Sequence, residues 1–132
     1  MNYIKLFIFF LTSIKAFKYN YGSVHRRHIK NRFKIRGMVE DHHVIPKEFR
    51  NHIIIKKYKY NISSSNNIMM MPNKKGIELL NTNRLLHSGG HLKYNKYVKN
   101  ELNKINNEEE LYQLLNYLKS QMNGNSENIP WK

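Results

Sequence analysis

The chain has 132 residues, 23 Lys and Arg against 9 Asp and Glu, and a formal charge of +14 at pH 7, so one domain with a modest core is expected. This charge exceeds what solubility requires and favours a polyanion partner, because Lys and Arg neutralise phosphates and release counterions. The absence of cysteine excludes disulfides, zinc–thiolate sites and a cysteine nucleophile.

The first 16 residues have the pattern of a secretory signal peptide: a positive start, an apolar stretch from Leu6 to Ile14, and a cleavage region ending at Ala16. The apolar stretch is too short to span a bilayer, which needs about 20 residues. We therefore expect a secreted or ER-targeted protein without a membrane span in the mature chain. The alternative is an intracellular protein whose residues 1–16 form a buried element. Richness in Asn, Lys and Ile is compatible with an AT-rich, viral genome.

Residues 17–38 form a basic N-terminal segment that precedes the first predicted strand. Between Val24 and Arg36, cationic and apolar residues are interleaved. Such a segment can lay a cation-rich face along a phosphate backbone while its apolar residues hold it to the domain. His25 and His28 have i, i+3 spacing, but a histidine pair of this kind is more often a surface feature than a metal site.

Two short strands are predicted in the centre of the chain. The first begins at about Val39, contains the pair His42-His43 and ends before Pro46, and the second is the apolar run at residues 67–72. Turn-forming serine and asparagine residues precede the second strand. Neighbouring residues of a regular strand point to opposite faces, so both histidines can face one site only at a strand end, twist or bulge.

A second pair of histidines indicates metal chemistry. His87 and His91 are four residues apart, so on a helix they would face one cation, and the intervening Gly89-Gly90 suits the first turn of such a helix. A catalytic site needs about three protein ligands, and one member of the pair His42-His43 can be the third. The remaining histidine is then free to take a proton from water near neutral pH. This combination predicts a phosphodiesterase.

Two helices are expected after this motif. The first has an apolar stripe at Tyr94, Val98, Leu102 and Ile105. The second begins with an asparagine cap at Asn107 and a glutamate three residues later. Its apolar face consists of Leu111, Leu114, Leu115 and Leu118. Residues 123–132 are expected to form a flexible C-terminal tail.

The segment from about Asp41 to Val98 resembles the HNH, or His-Me finger, endonuclease superfamily, and most closely its AHH-type branch with a double histidine. Three motifs match in order: His42-His43-Val44-Ile45-Pro46, Asn67-Ile68-Met69-Met70-Met71-Pro72 and His87-Ser88-Gly89-Gly90-His91-Leu92-Lys93-Tyr94-Asn95. The resemblance implies an α+β fold of the ββα-metal type, in which a hairpin and a helix grip one divalent metal, with flanking helices, over residues 39–122.

The resemblance also implies a role for each matched polar residue. His42, His87 and His91 would be the metal ligands, and His43 would be the general base. Asn67 would position the base strand or the substrate, although Asn66 also precedes the same apolar run and is the alternative. One departure stands out, because Asp41 occupies the place of the family's alanine. This acidic neighbour can orient the first ligand, shift its pKa or lie in solvent.

We therefore expect a metal-dependent endonuclease that hydrolyses phosphodiester bonds, with DNA favoured over RNA as the partner and no inhibitor protein identified. The cofactor is one divalent ion, with Mg²⁺ as first choice, whereas three imidazoles also suit Zn²⁺, Ni²⁺ or Mn²⁺. The residues expected to contact the nucleic acid are Lys47, Arg50, Tyr94 and Asn95.

Two other classes of protein remain open. A non-catalytic, basic nucleic-acid-binding module would use the same three histidines for a structural metal site, but it would have no need of the spare His43. A basic secreted or membrane-surface protein would also account for the charge. It would leave the order of the four histidines to coincidence.

Overall fold

The computed structural model describes residues 20–124 and 127–132. The predicted signal peptide at residues 1–16 and the first residues of the basic segment lie outside the described residues. In chain order the elements are α1 (Val24–Arg32), β1 (Val39–His43), α2 (Ile53–Lys57), β2 (Ile68–Pro72), α3 (Lys74–Leu80), α4 (Leu92–Leu102) and α5 (Glu108–Asn123). Short 3-10 turns lie at Lys47–Asn51 and Ser65–Asn67. The predicted α+β class, a hairpin followed by helices, is confirmed.

The two strands pair antiparallel, with His42 opposite Met69 and His43 opposite Ile68. The backbone N–H of Val44 continues the ladder by donating to the Asn67 carbonyl at 2.8 Å. A long connection, residues 44–67, joins β1 to β2 at this end of the hairpin in place of a tight turn. The histidine pair therefore lies at the end of a paired strand, beside a loop large enough to frame a site.

The core forms where α4 and α5 pack beneath this hairpin. Its fully buried members include Val44, Ile45, Met71, Tyr94, Val98, Leu102, Leu111, Leu118 and Met122. Both predicted apolar stripes therefore face the interior, with Ile105 partly buried against the cluster. The predicted cap of α5 is present, since the Glu110 N–H donates to the Asn107 side chain at 2.9 Å. Burial of these stripes is what fixes the two helices under the sheet.

The basic helix α1 is held to β1 by a buried ion-pair cluster. The Asp41 carboxylate lies 3.0 Å from Arg26 Nε and 3.1 Å from Lys30 Nζ, and its side chain is 11% exposed. Asp41 therefore does not lie in solvent. Because removing one partner would leave buried charge uncompensated, this cluster ties the position of α1 to the strand that carries the histidine pair.

The C-terminal residues differ from the flexible tail expected at residues 123–132. Helix α5 continues through Asn123, and beyond it Ile129 and Trp131 are only 3% and 9% exposed. The Trp131 indole N–H donates to the carbonyl of Leu86 at 2.8 Å in a part-buried hydrogen bond. Burial of the aromatic ring and a hydrogen bond to its N–H both stabilise the docked position of Trp131.

Within residues 20–124 and 127–132, every helix is too short or too polar to cross a bilayer.

Candidate metal centre

Three imidazoles converge beside the hairpin. His42, His87 and His91 each offer one ring nitrogen, and these three atoms lie within 4.8 Å of one another. The ring centroids are separated by 5.2 Å, 5.4 Å and 5.1 Å for the three pairs. The ligand donors thus come from β1, from the loop before α4 and from the N-terminus of α4. A three-histidine set of this size matches the protein contribution to a catalytic metal site.

The chemistry of this cluster fits a divalent cation. His42 Nε2 is buried and has no hydrogen-bond partner. Burial, reinforced by the neighbouring His87, His91 and His43, lowers the pKa of His42 to about 3. Burial also lowers the pKa of His91, with His87 as the next cause, while a hydrogen bond with the Trp131 backbone raises it. Unpartnered neutral imidazole nitrogens are costly in a protein interior, and a metal ion satisfies them.

The loop histidine has a carboxylate partner. His87 Nδ1 lies 3.0 Å from Glu40 Oε2, a carboxylate on β1 whose side chain is 53% exposed. The His87 backbone N–H donates to the Pro72 carbonyl at 2.8 Å, which attaches the loop to the end of β2. A carboxylate at this place can fix the tautomer and the orientation of a ligating imidazole. Neither the sequence pattern nor the spacing had singled out Glu40.

The structure places the i, i+4 histidine pair differently from the expected helix face. Helix α4 begins at Leu92, His91 is its N-cap residue, and His87 lies in the preceding loop. Gly89 has a φ of 71°, a left-handed conformation that would strain other residues. The chain therefore turns between the two histidines, and the turn rather than a helical repeat brings them together.

His43 lies on the cavity wall beside this trio. It is half-buried and, with His42, His87 and Lys47, lines a cavity of about 280 Å³. Because His43 is the last residue of β1, both members of the pair line the same cavity, as expected at a strand end. Burial, then Lys47 and Arg50, lowers its pKa, while Asp41 raises it. The lowered pKa favours the neutral imidazole, the form that can accept a proton at pH 7.

Asn67 is the buried member of the asparagine pair. It is fully buried, and its side-chain amide donates to the carbonyls of Ile45 and Ile62 at 2.9 Å and 2.8 Å. Its side-chain oxygen accepts from the Ile45 N–H at 2.8 Å. Asn66 is exposed, and its backbone carbonyl accepts from Lys119. Of the roles considered for this position, bracing the end of β1 agrees with the contacts of Asn67, which are all with backbone.

The four residues expected to contact nucleic acid differ in their exposure and in whether they line the cavity. Lys47 is exposed and lines the cavity, and Asn95 is half-buried on the same wall. Arg50 is exposed nearby. Tyr94 is fully buried, and its hydroxyl donates to the Val44 carbonyl. The assignment of Tyr94 to a phosphate contact is therefore wrong, because its side chain belongs to the core stripe of α4.

Two aromatic residues near the site had no signal in the sequence pattern. The Tyr21 ring lies 4.3 Å from the His43 ring, centroid to centroid, at the mouth of the cavity. Trp131 contacts the rings of His42 and His91 from the interior. Both residues approach from parts of the chain outside the hairpin and α4.

A comparison with family models relates this geometry to known proteins. Residues 23–122 match the model of AHH, described as a nuclease family of the HNH/ENDO VII superfamily with conserved AHH. No curated protein and no solved structure matches the chain. The matched residues include both strands, the histidine trio and the two long helices. Since the match covers more than half of the chain, the protein belongs to the AHH nuclease family of the HNH/ENDO VII superfamily.

Proposed function

We propose that this nuclease is a metal-dependent endonuclease that hydrolyses phosphodiester bonds, with DNA favoured over RNA. One observation carries the proposal: three ring nitrogens lie within 4.8 Å of one another, beside a cavity that a fourth histidine also lines. A structural metal site would account for the trio alone. It would give no reason for a half-buried, neutral imidazole on the cavity wall.

His42, His87 and His91 would hold the cation, and His43 would act on water. When bound, a divalent cation supplies charge stabilisation at a phosphate oxygen. The neutral His43 ring would accept the proton of the attacking water. Asn67 would act indirectly, because its contacts with the Ile45 backbone fix the end of the strand from which His43 projects.

The substrate would lie across the cavity and the exposed face of α1. Asp41 lines the cavity and also binds Arg26 and Lys30, so α1 is placed at its edge. Arg27 and Arg32 on this helix are exposed, as are Lys47 and Arg50. Together with Asn95, these side chains offer cations and a polar group to successive phosphates.

The donor set bears on the identity of the ion. The sequence analysis gave Mg²⁺ as the first choice of ion. Mg²⁺, however, prefers oxygen ligands and keeps most of its water. Three imidazoles favour Zn²⁺ or Ni²⁺, whereas Mn²⁺, the third alternative, resembles Mg²⁺ in its preference for oxygen. The ion is therefore an experimental variable, and the same nitrogen ligands would serve each of these metals.

The direct test is cleavage of plasmid DNA and of RNA by the purified protein across a series of Mg²⁺, Mn²⁺, Ni²⁺ and Zn²⁺. We expect cleavage to require a divalent ion, to stop on addition of EDTA and to return when the ion is restored. Full activity in EDTA would contradict metal dependence. Metal binding without cleavage of either substrate would instead support the non-catalytic binding module.

Substitution of the ligands should separate the metal centre from the other histidines. We expect His87→Ala and His91→Ala each to weaken Ni²⁺ binding by at least about 10- to 100-fold, the loss seen even for residues that only orient a ligand. Cleavage should fall in parallel. The matched controls are His25→Ala and His28→Ala, because these histidines lie on α1 and line a different cavity.

Isothermal titration of each variant with Ni²⁺ measures this effect without reference to activity. Unchanged affinity in both ligand variants would remove the proposed metal centre. A loss in the two α1 variants of the same size as in the ligand variants would place the ion elsewhere.

A further inference from the structure

We propose that Trp131 is a positioning residue for the metal centre, holding two of its three histidines in the geometry that binds a divalent cation. The inference rests on the proposed function, since it concerns the same His42, His87 and His91 cluster. Trp131 lies outside the matched residues 23–122. Its role is therefore a property of this chain's own C-terminal residues.

The indole ring packs directly on the histidines. Its centroid lies 4.3 Å from the His91 ring at an interplanar angle of 39°, and 5.1 Å from the His42 ring at 61°. The indole also meets the Tyr94 ring at 5.2 Å, centroid to centroid. Because Tyr94 is fully buried and bonded to the Val44 carbonyl, the indole packs against a fixed core residue as well as against the imidazoles. Rotation of the His91 ring away from the trio would displace it.

The indole N–H holds the loop that carries His87. It donates to the Leu86 carbonyl at 2.8 Å, one residue before the histidine. The His87 N–H is bonded to the Pro72 carbonyl, and Lys132 Nζ contacts the Ser88 hydroxyl on the other side. Residues 86–88 are thus tied at three consecutive positions, two of them by Trp131 and Lys132. This matters because the segment between α3 and α4 has no helix or strand of its own to fix it.

These contacts bear on affinity for the ion. A ligand in a loop binds metal more weakly when the loop must be ordered at the moment of binding, and prior ordering removes that cost. The indole also packs on the His42 and His91 rings, two residues that are buried. Groups that orient metal-binding histidines typically contribute 10- to 100-fold to metal affinity.

The test uses the full chain with Trp131→Ala, Trp131→Phe and the control Phe33→Ala, which truncates an aromatic side chain that is 65% exposed. We expect Trp131→Ala to weaken Ni²⁺ binding by about 10- to 100-fold. Trp131→Phe keeps a ring against His91 but loses the bond to Leu86, so a loss of about 2- to 10-fold is expected, the value of one hydrogen bond. Phe33→Ala should bind as the parent does.

A purely structural role would give a different result. It would lower the melting temperature of the metal-free variants while the folded fraction bound Ni²⁺ with the parent's affinity, and this outcome would overturn the proposal. Should Trp131→Ala fail to fold, Trp131→Phe decides, and unchanged affinity in that variant overturns the proposal equally.

The parent protein provides an independent measurement, because Trp131 is its single tryptophan. Ni²⁺ quenches a nearby indole, so saturation of the trio should reduce the fluorescence, and His91→Ala should abolish the effect at the same Ni²⁺ concentration. Saturated Ni²⁺ binding without a change in fluorescence would overturn the inference alone. A parent that binds no Ni²⁺, Zn²⁺ or Mn²⁺ would overturn the proposed metal centre together with it.

Discussion

Replacing His43 with alanine is expected to lower the rate of phosphodiester cleavage by about 10²–10⁴, the contribution of a positioned general base. Metal affinity should stay close to that of the parent, because His43 is not one of the three imidazoles whose nitrogens lie within 4.8 Å of one another. The half-buried His43 ring lines the cavity and its pKa is lowered, so the proton acceptor is present at neutral pH. Single-turnover cleavage at saturating metal measures the chemical step.

The matched control is His28→Ala, an exposed histidine on α1. At saturating DNA it should leave both the single-turnover rate and the metal affinity unchanged, because His28 does not line the cavity beside the trio. If His43→Ala cleaves as fast as the parent, the general base lies elsewhere. If it loses the metal and keeps a rate in excess ion, the roles of His42 and His43 are exchanged.

The hairpin was predictable because the pattern that signals it is local, whereas the choice of His42 as the third member of the trio came from the family resemblance. An apolar run bounded by Pro72 and a histidine pair before Pro46 both identify short strands, and the structure pairs them at residues 39–43 and 68–72. The spacing of His87 and His91 selected two residues that the structure does bring together. The expected reason, that both histidines lie on one face of a helix, was incorrect, because His87 lies in the loop before α4.

Tyr94 shows why a side chain's direction is harder to predict than its helix. Its position in α4 fits both the apolar stripe and the family motif. The sequence does not show whether the ring is buried in the core or the hydroxyl faces the substrate. In the structure the ring joins the core and the hydroxyl bonds to the Val44 carbonyl. Tyrosine can bury both ends when a backbone acceptor lies within reach, and that acceptor is distant in sequence.

Long-range contacts explain the other differences. Asp41 forms ion pairs with Arg26 and Lys30 of α1. Trp131 donates a hydrogen bond to Leu86, 45 residues earlier in the chain. Neither partner follows from periodicity, because periodicity reports only which face of an element is apolar. Charge composition predicted a basic surface, but it did not predict that one carboxylate would attach that surface to the strand that carries the histidine pair.

Binding of DNA is expected to fall steeply with salt and to show little sequence preference. The exposed cations near the cavity, including Arg27, Lys47 and Arg50, offer phosphate contacts, and phosphate contacts carry no base information. If six or more phosphates are neutralised, affinity should fall by about 10³–10⁵ between roughly 50 and 200 mM salt. Fluorescence anisotropy of a labelled duplex with the His43→Ala protein, whose cleavage is expected to be slow, measures the slope.

Single charge removals then identify the residues that carry this binding. Lys47→Ala should reduce the salt slope by about 1 and weaken binding equally for unrelated sequences. Lys104→Ala is the matched control, because its ammonium pairs with Glu101 at 2.7 Å and does not line the cavity that Lys47 lines. Cleavage of a long duplex by the parent should give a smear at every salt concentration. Discrete fragments that persist unchanged from about 50 to 200 mM salt would contradict phosphate-only recognition. They would direct the search for base contacts to residues 24–36, the basic segment that contains α1.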